Sequence, residues 1–212
     1  DNDKLEDYFG RLSMCLSEGK PVRKVLMIHP ISGIWTKCRS DRNEDFKHLE
    51  MNMGWLDEHI TSLNRKGEFY NRLAKELTAA HIDFDFGDEL LLEEDGRIED
   101  GRFIAGSCHY QVVVVPGTVN LFRNTVNLLK EFSKQGGTVI WLKPYPTLIE
   151  GEKADVHSIL EKEIFSYTAD HVWEVPELIR KCISAEFSVK TASGAEDGEI
   201  LSMLRRTEDG YI

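Results

Sequence analysis

Two places in this sequence hold residue types able to do chemistry. The first is Gly106-Ser107-Cys108-His109-Tyr110, where a thiol stands beside an imidazole. A thiol nucleophile of an α/β enzyme belongs just after a strand, on a strained glycine-flanked turn that opens a helix. Cys108 instead comes before the strongest strand signal of the chain, Val112-Val113-Val114-Val115, and the turn after that strand reads Pro116-Gly117-Thr118. Neighbours on an extended segment also point to opposite faces, so Cys108 and His109 do not readily pair. A structural role for Cys108 is favoured, and a hydrolase using Cys108 or Glu89 is the rival.

The second place is assembled from loops. Ligands of open α/β sheets bind outside the carboxyl ends of the strands. Those loops hold His29 and Trp35, then Asp88 and Glu89, then Thr118, and finally Lys143. Trp35 is suited to stack on a sugar, and Asp88 or Glu89 to accept hydrogen bonds from its hydroxyls. The same residues have plainer uses: an acidic residue after a strand caps a helix, His29 fits a core, and Trp35 can pack beneath its loop.

Other chemistries lack support. Cys15, Cys38, Cys108 and Cys182 lie far apart with no Cys-x-x-Cys pair, which argues against a zinc knuckle or a redox motif and favours a reducing, cytoplasmic setting. His48, His59 and His81 are dispersed on predicted helix surfaces or ends, away from metal-ligand spacing. Neither a Gly-x-Gly-x-x-Gly turn nor a Walker-type lysine loop follows the first strand, so no cofactor is expected. Lys and Arg number 26 against 37 Asp and Glu, a net charge of −11 that disfavours nucleic acid. No apolar run approaches the length of a membrane span.

The elements that must position these residues follow from periodicity. Leu5, Tyr8, Phe9, Leu12 and Leu16 fall on one stripe of a helix over residues 5–18, stopped by Gly19. Val25-Leu26-Met27-Ile28 fits a strand covered on both faces. Residues 43–80 carry helical spacing with a break at Gly67. Asp83-Phe84-Asp85-Phe86 is a short strand with both aspartates on one face, a pattern able to chelate a cation but more often the mark of a sheet edge. Residues 90–106 look hairpin-like because Asp95-Gly96 and Asp100-Gly101 are turn dipeptides. After Val112 to Val115 come a helix through Val126, Leu129 and Phe132, then Gly136-Gly137, then the strand Thr138-Val139-Ile140-Trp141-Leu142. Short helices are expected over 155–165 and 176–185, with a weak strand at Val172-Trp173-Glu174-Val175 between them. The C-terminus, residues 200–212, suggests a hairpin cut short. Strands alternating with helices predict an α/β fold, a three-layer α/β/α sandwich with a mostly parallel, doubly wound sheet of flavodoxin or amidotransferase type.

Several segments together resemble a domain of large bacterial glycoside hydrolases of the α-L-rhamnosidase type, glycoside hydrolase family 106 and relatives. They are residues 7–20, the strand ending in His29-Pro30 with Trp35 beyond it, residues 83–90, and Tyr110-Gln111-Val112 to Pro116 followed by Leu121 and Thr125. In that family the domain resembles class I glutamine amidotransferases and the trimerisation domain of family 42 β-galactosidases, without the amidotransferase Cys-His-Glu machinery. The resemblance implies a linker helix over 1–20 leaving an upstream catalytic barrel, an α/β domain over 21–190, and the start of a β-sandwich module over 191–212. It implies a non-catalytic accessory role, with the barrel and the sandwich of the same chain as partners. Carbohydrate contact at the barrel's rim through His29, Trp35, Asp88 or Glu89, and a homo-oligomer, are compatible with it. A carbohydrate-binding module is a further alternative. The family's catalytic carboxylates lie in the barrel and map onto no residue here.

Overall fold

A computed structural model describes residues 2–36, 70–159, 164 and 167–212. The chain begins with α1 (Asn2–Ser17), β1 (Lys20–Pro21), β2 (Val25–Ile28) and α2 (Ile31–Trp35). It continues with α3 (Tyr70–Ala79), β3 (Phe84–Gly87), α4 (Glu89–Asp95) and three short strands, β4 (Arg97–Glu99), β5 (Arg102–Ala105) and β6 (Cys108–Tyr110). Then follow β7 (Val112–Val115), β8 (Asn120–Leu121), α5 (Arg123–Lys134), β9 (Thr138–Leu142), β10 (Leu148–Ile149) and β11 (Glu152–Lys153). The last elements are α6 (Val156–Ile159), β12 (Tyr167–Ala169), a 3-10 turn (Val172–Glu174), α7 (Val175–Cys182) and β13 (Arg205–Arg206).

Five strands form one parallel sheet in the order β12-β9-β7-β2-β3. Taken along the chain this is the flavodoxin-like order, in which winding reverses between the first strand, β2, and the third, β7. Alternation within each strand then divides the core in two. Leu26, Ile28, Val113, Val115, Val139 and Trp141 face α5, where Val126, Leu129 and Phe132 cover them. Val25, Met27, Val112, Val114, Ile140 and Leu142 face the other way, onto Leu73 and Leu77 of α3 and Val175 and Ile179 of α7. A sheet covered on both faces needs apolar residues at consecutive positions, hence the four-valine run. The doubly wound, three-layer α/β architecture expected from the sequence is therefore observed.

Helix α5 lies close to the sheet because Gly137 admits the ring of Phe132: a Cβ at Gly137 would fall 2.2 Å from Cε2 of that ring. Phe132 in turn meets Phe103 of β5 edge-to-face at 5.7 Å.

Some local expectations need correction. Residues 90–106 are not a hairpin throughout: Asp88 caps a helix, α4, and the antiparallel β4-β5-β6 sheet starts only at Arg97. Val172 to Val175 is not a strand but a 3-10 turn leading into α7, and the edge strand is Tyr167–Ala169. Pro176 in the first turn of α7 explains this, since proline fits a helix start and supplies no ladder donor. The helix expected over 155–165 is described as α6 only as far as Ile159. In the 43–80 segment the described helix is α3, and His48 and His59 lie outside the described residues. His81 lies just past the end of α3, as the sequence allowed, but its side chain is fully buried, with a left-handed φ of 54°.

At the C-terminus, β13 pairs antiparallel with β1, and Arg205 exchanges backbone hydrogen bonds with Ile212. The Arg205 guanidinium also donates to the carbonyls of Ser17, Glu18 and Gly19 at the end of α1. That contact supplies the donors a helix C-terminus lacks internally.

Candidate functional site

The doubly wound order directs attention to the carboxyl ends of β2 and β7, where reversal of the winding opens a crevice. Among the described residues, the chain's own segments pack closely into it. Helix α2 follows β2 at once and lies against the segment after β7. A Cβ at Gly33 would come within 2.3 Å of Thr118 Oγ1 and 3.3 Å of Val119 N, so only glycine permits the approach. Thr118 and Asn120 are buried beneath it. Thr118 Oγ1 donates to Asn120 O at 3.1 Å, and Asn120 Oδ1 accepts from Gly151 N at 2.9 Å.

Glu89 lies at the centre of this packing, and its residue surface is wholly inaccessible. Its Oε1 accepts from the backbone N–H of Phe122 at 2.7 Å. Its Oε2 is in hydrogen-bond contact with the Ser32 hydroxyl. Thr125, also fully buried, has no partner of hydrogen-bond geometry for its hydroxyl but lies near enough to influence the carboxyl group. One side chain from α4 thus joins α2 to the start of α5.

Burial pushes the Glu89 carboxyl above the usual range, opposed by the contacts from Ser32, Phe122 and Thr125 and assisted by the negative charge of Asp88. Protonation also suits the local geometry. Ser32 Oγ has a second acceptor in reach, Asn120 O at 3.3 Å, and one hydroxyl proton serves one acceptor at a time. A protonated Glu89 can donate to Ser32, which then donates to Asn120. Because the folded-state value lies above the unfolded one, this contribution to stability is complete below the ordinary value of 4.5 and is lost as pH rises through the folded value.

The neighbouring residues divide into tied and open. Asp88 is the N-cap of α4, its Oδ1 accepting from Leu90 N at 2.9 Å and Leu91 N at 3.3 Å. His29 Nδ1 lies 4.0 Å from Asp88 Oδ2, and its ring meets Tyr70 and Phe86 edge-on at 5.4 and 6.0 Å. Phe86 and Trp35 are about half exposed, at 52% and 46%. Of the four loop residues singled out in the sequence, His29 and Asp88 come together beside Phe86, Glu89 lies apart in the interior, and Trp35 is on the surface at the end of α2. Tyr70, Phe86, Ser32 and the Phe122 N–H escaped sequence reasoning. Only the first three have side chains with a readable signal, and nothing local assigns them a partner.

Cys108 lies in β6, paired with Ala105 of β5 and half-buried against the α5 side of the core, while His109 is exposed. Tyr110 of the same strand donates to Asp85 Oδ2 at 3.0 Å, and Asp85 also pairs with Arg23. Asp83 accepts from Leu204 N at 3.0 Å. Asp85 of β3 and Asp83 just before it are thus fastened to other segments, and β3 is the sheet edge that their spacing suggested.

A small cleft opens at the amino ends of the strands, lined by Lys24, His81, Asp83, Arg180, Glu186 and Phe187 among others. Its charged groups are paired within the chain. Lys24 meets Glu186, and Glu196 meets both His81 Nδ1 at 2.9 Å and Arg180 at 3.1 Å. Burial raises the Glu196 carboxyl, but hydrogen bonds from His81 and Ser188 and the charge of Arg180 outweigh it and hold the group below the usual range. These pairs fasten the C-terminal segment across the sheet.

No protein-family model matches the chain, and no curated protein matches it. Among solved structures it is similar to the apo exo-carrageenase GH42 of Bacteroides ovatus, at 11% identity and a TM-score of 0.44. That match covers 76% of this chain, which spans 17% of the length of the other.

Proposed function

We propose that this chain is a non-catalytic accessory domain of a bacterial glycoside hydrolase of the α-L-rhamnosidase type, packing against a catalytic barrel of the same protein. The observation that carries the reading is the filled crevice. Where a doubly wound sheet ordinarily receives a ligand, Glu89 is buried among Ser32, Phe122 and Thr125, and Gly33 touches Thr118. The turn after β7, Pro116-Gly117-Thr118, offers no thiol and packs on Lys143 and Pro144.

Support for the docking role comes from α1. Its stripe of Leu5, Tyr8, Phe9, Leu12 and Leu16 is exposed along its length, and no residue of the helix is buried. Isolated helices of this length are marginal in water, so such a stripe gains most from a covering surface. On this reading α1 is the contact to the barrel.

The test is turnover. The purified chain is assayed against a panel of aryl glycosides and against glutamine, and no product above buffer is expected. Hydrolysis by the wild type that Glu89→Gln or Cys108→Ala abolishes would overturn the reading.

A further inference from the structure

Away from the filled crevice, the carboxyl edge of the sheet has a second cluster, at the ends of the neighbouring strands β9 and β12. Lys143 follows β9 and Asp170 follows β12, and they form an ion pair at 2.7 Å. The turn after Asp170 is held from both sides. Glu174 Oε2 accepts from the N–H groups of Asp170 and His171 at 2.8 and 3.2 Å. Val172 and Val175 are fully buried as anchors. Between those anchors Trp173 projects outward, 54% exposed, and its ring stacks on the His171 imidazole at 4.2 Å and 12°. The indole is therefore exposed yet fixed in orientation.

We propose that Trp173 is the stacking platform of a surface site for a neutral saccharide, with Asp170 and Lys143 as hydroxyl partners. A pyranose ring carries C–H groups on its faces and hydroxyls around its rim. An indole offers a flat, apolar, electron-rich face for the former. The ion pair offers an acceptor and a donor for the latter. Its charges cancel, and a chain of net charge −11 repels polyanions, so a neutral sugar fits better than a uronate or a sulfated one. Each partner keeps the other ionised: Asp170, beside Lys143, has its carboxyl below the usual range, and Lys143 has its ammonium above. A flat protein partner would be served by an apolar surround, whereas Trp173 stands among Asp170, His171 and Glu174. The proposal extends the reading of the chain as part of a carbohydrate-acting protein and rests on it.

The experiment is affinity electrophoresis of the whole chain in gels containing galactan, galactomannan, arabinan, xylan or mixed-linkage β-glucan, with polygalacturonate as the anionic control. Retardation by at least one neutral polymer is expected, with an apparent Kd at least tenfold weaker in Trp173→Ala and unchanged in Tyr211→Ala. Thermal unfolding of both variants checks that they fold. Absence of retardation by every neutral polymer, or equal retardation of wild type and Trp173→Ala, overturns the site. Turnover is read separately, so loss of this site leaves the accessory role standing, and turnover by the chain leaves the site standing.

Discussion

Helices α1 and α5 carry the same kind of apolar spacing and have opposite surroundings. On α5, Val126, Leu129 and Phe132 are buried against the sheet. On α1, Leu5, Tyr8, Phe9, Leu12 and Leu16 face outward and the helix buries nothing. Periodicity thus identifies which face of a helix is apolar and is silent about what covers it. The same distinction holds at the strand ends, where Glu89 is enclosed by its own chain while Trp173 is held out from it.

Substitutions in the two helices should have unequal consequences. The largest effect is expected in α5. Phe132→Ala leaves a void between Gly137 and Phe103 and should cost about 3–5 kcal/mol of unfolding free energy, measured by urea denaturation. A cost under about 1 kcal/mol would mean that α5 is no better packed than α1. Asp88→Ala removes the cap of α4 and should cost roughly 1 kcal/mol, measured the same way. The smallest effect is expected in α1. Leu12→Ser should change the stability of the isolated chain by less than about 0.5 kcal/mol, while weakening association with a covering partner. A large loss in the isolated chain would show that α1 is already covered.

Much of the fold was legible because it rests on strong local signals. The four valines, the Thr138 to Leu142 run and the glycines after α5 fix strand, helix and stop without long-range information. The failures have a physical cause as well. Val172-Trp173-Glu174-Val175 alternates like a strand, but Pro176 next to it favours a helix start, and that signal outweighs the alternation. Residues 90–106 contain two turn dipeptides, of which Asp95-Gly96 ends a helix and only Asp100-Gly101 makes a hairpin.

The candidate site was less legible. Proximity to a strand end picked out Glu89, but its partners Ser32 and Phe122 are 57 and 33 residues away and come together only through the doubly wound topology. Asp88 followed the plainer expectation of a cap. Trp173 was hidden by the strand reading, since a residue assigned to a strand does not suggest an exposed turn.

The most direct measurement is the thermal midpoint of Glu89→Ala. If Glu89 joins α2 to α5, its loss leaves the Phe122 N–H without its acceptor, at about 1–3 kcal/mol, while the Ser32 hydroxyl keeps Asn120 O as a partner. For a chain of this size that is a fall of roughly 2–12 °C. Residues kept for chemistry are commonly retained at a cost in stability. A midpoint that stays unchanged or rises in Glu89→Ala would contradict the structural role and return Glu89 to the list of functional groups.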